Sequence, residues 1–157
     1  MRKNLILMAV PSIILISVVA SFLYYYFLLK EEQFKVIKEE VYRDIKNISL
    51  DGISPLEVRY ITILYDKVYT ISLSVYQFRN ENDAKVFEKL FIQLRKSLIK
   101  DEKDLNIDGN EIKILLIEFE GKNSYGTIFT KENKLVIGSY SNETVLLNVI
   151  KWILKRI

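Results

Sequence analysis

The chain has 157 residues, a formal net charge of +3, and neither cysteine nor histidine. These absences exclude disulfide bonds, thiolate nucleophiles, Cys/His zinc sites and catalysis by histidine acids or bases. A net charge this small indicates nucleic acid binding only where a local basic patch exists, so no nucleic acid partner is predicted.

An apolar run near the amino terminus is the strongest signal in the sequence. Residues 5–29 carry no charged side chain and follow Arg2 and Lys3. As a helix the run would extend about 37 Å, which exceeds the roughly 30 Å hydrocarbon core of a bilayer. The competing interpretation is a signal peptide cleaved after Ala20. The length of the run favours a transmembrane anchor over residues 1–30, in contact with the lipid bilayer.

The orientation of this predicted anchor depends on its flanks. Lysine and arginine are more frequent after the run than before it, which favours a cytoplasmic domain. Acidic neighbours offset that excess, and the tail before the run is very short. The sequence therefore predicts a single-pass protein of the cell membrane with its domain outside the cytoplasm.

A charged and apolar segment follows the anchor. Its apolar residues recur at steps of three and four: Phe34, Ile37, Val41, Ile45 and Ile48. This spacing predicts an amphipathic helical stalk over residues 31–50 that packs onto its own domain, with a short coiled-coil seam as the alternative. Asp51-Gly52 and Pro55 are expected to end the stalk.

The remaining residues, 51–157, are predicted to form a small globular α+β domain. Two runs rich in β-branched and aromatic residues flank a short turn at Asp66-Lys67, which predicts a hairpin. Asn80 or Asn82 then caps a helix that extends to about Lys100. Three further strand candidates follow, at 111–120, 125–131 and 134–140. A last helix is capped by Ser141 or Asn142. The order β-β-α-β-β-β-α predicts a mostly antiparallel sheet of about five strands packed against helices.

The stretch DLNIDG has the oxygen spacing that opens a calcium loop. Asp104, Asn106 and Asp108 fill its first three ligand positions, and Gly109 supplies the sharp turn. The position that needs a bidentate carboxylate is Leu115, however. A tight hairpin turn at Asp108-Gly109 is therefore the favoured interpretation, with a weak calcium site as the alternative.

Four lysines of the middle helix are predicted to share one face, opposite its apolar face: Lys85, Lys89, Lys96 and Lys100. Such a stripe is typical of a solvated helix face. The functional alternative is contact with an anionic surface such as lipid phosphates.

The last helix is apolar over more than half of its circumference, which is more than a one-sided surface helix needs. It is predicted to lie wedged between the sheet and the stalk. The alternative is a partner surface formed by Val145, Val149 and Trp152, with the tryptophan as anchor.

The sequence contains no glycine-rich phosphate loop and no nucleophile elbow, so neither an enzyme nor a cofactor is predicted. The functional expectation is a single-pass membrane-anchored protein that presents a small domain for binding or assembly. Its partner would be another protein or further copies of itself. The alternative is a membrane-tethered enzyme or a weak calcium-dependent module.

Overall fold

The computed structural model describes Ser21 and residues 33–43, 45 and 48–157. The strands are β1 (Phe34–Arg43), β2 (Glu57–Tyr65), β3 (Tyr69–Gln77), β4 (Ile99–Ile107), β5 (Asn110–Phe119), β6 (Lys122–Lys131) and β7 (Lys134–Tyr140). The α-helices are α1 (Glu81–Leu94) and α2 (Glu143–Ile153), and a 3-10 turn occupies Lys96–Leu98.

The strands form one antiparallel sheet in the order β1-β2-β3-β7-β6-β5-β4. Two meanders, β1-β2-β3 and β4-β5-β6-β7, meet where β3 pairs with β7, for example at Val75 and Val136. Helix α1 connects the two meanders. As a result β1 and β4 lie at the two ends of the sheet, each with one neighbour among the described strands.

The two helices cover opposite faces of the sheet. We call these the α1 face and the α2 face. The α2 face buries Ile61, Ile63, Ile71, Leu73, Ile112, Ile114, Phe129 and Val136. Beneath α1 lie Phe78, Leu115, Ile128 and Leu135. Because central strands are covered on both faces, their sequences read as continuous apolar runs. On β7, for instance, adjacent Leu135 and Val136 are both fully buried.

The predicted hairpin turns are confirmed by the backbone. Asp66 and Lys67, between β2 and β3, have φ angles of 50° and 58°. Asp108 and Gly109, between β4 and β5, have φ angles of 51° and 80°. Such left-handed angles match the twist of the flanking strands, and glycine adopts them without steric cost.

The predicted helical stalk is wrong, because residues 34–43 form strand β1. A bulge between Val36 and Lys38 shifts the alternation of side chains by one position. Phe34 and Val41 therefore face the same side of the sheet although they are seven residues apart. The bulge gives a strand the spacing of a helix stripe, while pairing with β2 satisfies the backbone of β1.

The predicted α+β architecture with about five strands is also corrected, to a seven-stranded sheet with two short helices. The middle helix ends at Leu94, and the residues from Ile99 onward form strand β4. This strand was missed because five consecutive charged residues, 100–104, conceal its alternation. Charges of this kind are typical of an edge strand.

The predicted membrane anchor over residues 1–30 lies, apart from Ser21, outside the described residues. Within the part of the chain that the structure describes, no helix is both long enough and apolar enough to cross a membrane. The prediction of a single-pass cell-membrane protein with an extracytoplasmic domain is therefore corrected. No localisation replaces it.

Candidate functional site

The edge formed by β4 is protected by charge. Lys100 pairs with Glu118 on β5 at 3.1 Å, and Lys103 pairs with Glu143 at the start of α2 at 3.6 Å. Most side chains of this strand are exposed. A dense row of charges opposes the addition of another strand, so β4 is a poor docking edge.

The opposite edge, formed by β1, carries exposed apolar side chains. Val36, Ile37, Val41 and Tyr42 are each between 42% and 49% exposed. Tyr42 stands beside Tyr60 of β2 with ring centroids 5.6 Å apart. We call the open backbone of β1 together with these four side chains the β1 edge. An exposed edge strand with apolar side chains is a template for pairing with another chain.

Part of the β1 backbone points away from the sheet. The Asp66 N–H donates to the Gln33 carbonyl at 2.9 Å, so Asp66 directs its backbone toward β1. Along a strand the backbone N–H and C=O groups point alternately to one neighbour and to the other. Tyr60, six residues before Asp66, therefore also directs its N–H and C=O toward β1, where it pairs with Glu40. The next residue, Val41, therefore directs its N–H and C=O outward, where an added strand would meet them.

A row of alternating charges crosses β1 and β2 on the α2 face. The Arg59 guanidinium contacts Glu39 at 3.4 Å and Glu57 at 3.1 Å, and Arg43 contacts Glu57 at 3.1 Å. The Glu57 side chain is only 16% exposed, whereas Arg43 is 77% exposed. The two ends of the row, Glu39 and Arg43, thus lie on the edge strand and are open to solvent.

The position of Glu57 predicts an acid-dependent loss of stability. Hydrogen bonds from Arg59 and then Arg43 lower the pKa of the Glu57 carboxyl below its usual 4.5. The stability that Glu57 gains from Arg59 and Arg43 is present above pH 4.5, the pKa of the carboxyl in the unfolded chain. It is lost as pH falls through the lower pKa of the folded state. We expect Glu57→Gln to be less stable than wild type at about pH 7, and the difference to narrow at about pH 3.

Urea unfolding at the two pH values measures this difference. Glu120→Gln is the matched control, because the ion pairs found among the described residues do not involve Glu120. A gap between wild type and Glu57→Gln that stays constant with pH would contradict the expectation.

The predicted partner surface on the last helix is only partly exposed. Val149 is fully buried and Val145 is 6% exposed, since both face the sheet. Trp152 alone reaches the surface, where it stacks on Phe34 of β1 at 5.4 Å and lies under Arg156 at 4.0 Å. It lines a groove of about 230 Å³ beside the β1 edge, together with residues of β1, β2 and β3.

The four predicted stripe lysines do not share one helix face. Lys85 and Lys89 lie on α1, but Lys96 lies in the 3-10 turn and Lys100 on β4. Lys85 pairs with Glu81 at 2.6 Å, a hydrogen bond that raises the pKa of the Lys85 amine. The stripe is interrupted because α1 ends before its second half begins.

Lys85 and Lys89 instead border a charged cleft of about 510 Å³ between α1 and the β4–β5 hairpin. The Lys113 amine bonds Asp104 and Glu102, each at 2.8 Å, and these two carboxylates hold its pKa above the usual value. The charges that line the cleft therefore largely neutralise one another.

Two of the three side chains in the predicted calcium loop, Asp104 and Asn106, have other partners. Asp104 accepts from Lys113, and the Asn106 side-chain oxygen accepts from the Gly109 N–H at 3.1 Å. Asp108 lies in the turn itself. Across the described ranges, no group of three or more acidic side chains is placed to hold a metal ion.

Comparison of the chain with protein-family models, curated proteins and solved structures finds no match. The sequence does not reveal the β1 edge, because its apolar spacing predicts a helix over residues 31–50. The content of β-branched and aromatic residues in FKVIKEEVYR was the signal that indicates a strand.

Proposed function

We propose that this domain is a binding and assembly module, and that its β1 edge receives an extended segment of another protein chain as an additional antiparallel strand. The observation that carries the proposal is the contrast between the two ends of the sheet. The β1 edge exposes apolar side chains and outward backbone groups, while β4 carries continuous charge. Strand addition satisfies such backbone groups and excludes water from the apolar side chains.

Both faces of the sheet offer contacts to an added strand. Val36 and Trp152 line the groove on the α2 face, and Tyr42 stands beside Tyr60 on the other face. Because side chains of a strand alternate between faces, a bound segment would place successive residues against these two surfaces. Backbone pairing would give affinity, and the two surfaces would give selectivity.

The charged cleft beside α1 offers no comparable argument for ligand binding. Its central amine, Lys113, is engaged by two carboxylates, and Glu88 accepts a hydrogen bond from Thr130 at 2.7 Å. A ligand would have to displace these internal partners.

The proposal is tested with a displayed library of random ten-residue peptides, selected against the full chain. We expect enriched peptides to bind wild type and to lose at least about tenfold in affinity for Val41→Pro. Proline removes the outward N–H of this position while the ladder with β2 keeps its bonds.

Val41→Thr is the matched control, because it keeps both the N–H and a β-branched side chain. If Val41→Pro melts at a lower temperature than wild type, Val41→Lys replaces it, since an edge lysine opposes strand addition without removing an N–H. Equal binding of the enriched peptides to wild type and to the blocked variants would rule out the proposal. Failure to enrich any peptide on a chain that sedimentation shows to be monomeric would rule it out as well.

A further inference from the structure

We infer that the partner of the β1 edge is a second copy of this chain, which pairs its own β1 with the first about a twofold axis at Val41. This inference rests on the proposed function, because it names the occupant of the same edge. In this arrangement Val41 meets Val41 of the second copy, and Glu39 meets Arg43. The contact is self-complementary, as a twofold interface must be.

The direction of the side chains permits this register. A twofold axis perpendicular to the sheet keeps the α2 faces of both copies on one side, so residues that meet must point to the same face. Glu39, Val41 and Arg43 all do so, since they pair with Ile61, Arg59 and Glu57 of β2 in regular succession. The bulge between Val36 and Lys38 lies outside this regular stretch.

The backbone also permits it. Val41 directs its N–H and C=O outward, and by alternation Glu39 and Arg43 do the same. With the axis at Val41, each of these residues stands opposite another outward residue. The outward N–H and C=O groups of these residues then form the hydrogen bonds of an antiparallel ladder with the second copy.

Charge selects this register over its neighbours. Within one copy the row Glu39–Arg59–Glu57–Arg43 ends in an exposed carboxylate and an exposed guanidinium. Pairing brings each Arg43 to the Glu39 of the other copy and closes two rows into one ring of alternating charges. An axis at Glu39 or Glu40 would instead place identical carboxylates opposite each other, which is unfavourable.

Charge reversal tests the inference in the full chain by sedimentation equilibrium. We expect wild type to form dimers, and Glu39→Arg and Arg43→Glu each to weaken the dimer Kd by about tenfold or more, because like charges then meet twice across the axis.

An equimolar mixture of the two variants should restore association. In the mixed dimer one chain carries arginine at both positions and the other carries glutamate at both. Repulsion inside each variant, such as that between Arg59 and a new arginine at 39, persists in the mixture. Restoration therefore reports the contact between chains and not the folding of either variant.

The outcomes separate this inference from the proposed function. A wild type that stays monomeric at about 100 μM but still binds displayed peptides at β1 would overturn the second copy and leave strand addition standing. Dimers that resist both charge reversal and Val41→Pro would place the interface elsewhere and overturn the inference. A mixture that fails to restore association would overturn it as well.

Discussion

Phe129→Ala is expected to lower the free energy of unfolding by about 3–5 kcal/mol, as measured by urea denaturation. Phe129 lies on β6, opposite Val136 of β7, and is fully buried in the cluster under α2. Removal of the ring loses the free energy gained when the ring is transferred from water to the core. It also leaves a cavity between the sheet and the helix. The surrounding strands are held by their ladders on both sides, so they cannot collapse into that space.

The same substitution at Phe119 provides the control. Phe119 is at the end of β5 and is 61% exposed. Phe119→Ala is therefore expected to change the unfolding free energy by less than about 1 kcal/mol. Similar losses of unfolding free energy in the two variants would mean that the side chains of the α2 face do not form a tightly packed core.

Local signals in the sequence are sufficient to predict where both helices begin. The Asn80 side chain accepts a hydrogen bond from the Asp83 N–H at 2.8 Å, and Asn142 accepts one from the Val145 N–H at 3.1 Å. These caps use contacts three residues apart, so the sequence alone indicates them. The β2–β3 hairpin and strands β5 to β7 were equally accessible, because their apolar runs end at short polar turns.

The two edge strands could not be predicted in this way. The apolar pattern of β1 is displaced by its bulge, and the charges of β4 resemble a solvated segment. Strand β4 pairs with the neighbouring β5 across the Asp108-Gly109 turn, and it is its run of charges that conceals it. Strand β1 is decided by a partner far along the chain, such as Ile61 for Glu39. Periodicity within a short window does not contain that information.

The candidate site lies on one of these strands, and for that reason the sequence did not reveal it. The sequence offers Trp152 only as the anchor of an alternative partner surface, and the structure places this residue beside the β1 edge. The row from Glu39 to Arg43 was not identified, since it is assembled from two strands that pair antiparallel. Self-complementary charge becomes visible only once the register is known.

A second large loss of unfolding free energy is expected where the two meanders are in contact. Gly138 of β7 pairs with Leu73 of β3 on the α2 face. A Cβ at position 138 would lie only 2.2 Å from the Leu73 Cδ2 atom. Leu73 is 1% exposed and closely surrounded, so its side chain has little room to turn away. We expect Gly138→Ala to lower the unfolding free energy by about 1–3 kcal/mol in urea denaturation.

Gly126→Ala is the matched control, because the added Cβ meets the Ile117 Cδ1 atom at 2.7 Å. Ile117 is only half-buried and can rotate toward solvent, so this variant should lose less stability than Gly138→Ala. Adding Leu73→Ala to Gly138→Ala removes the clashing atom. The double variant should then be more stable than the sum of the two single losses implies. Strict additivity would show that crowding against Leu73 is not the reason for glycine at 138.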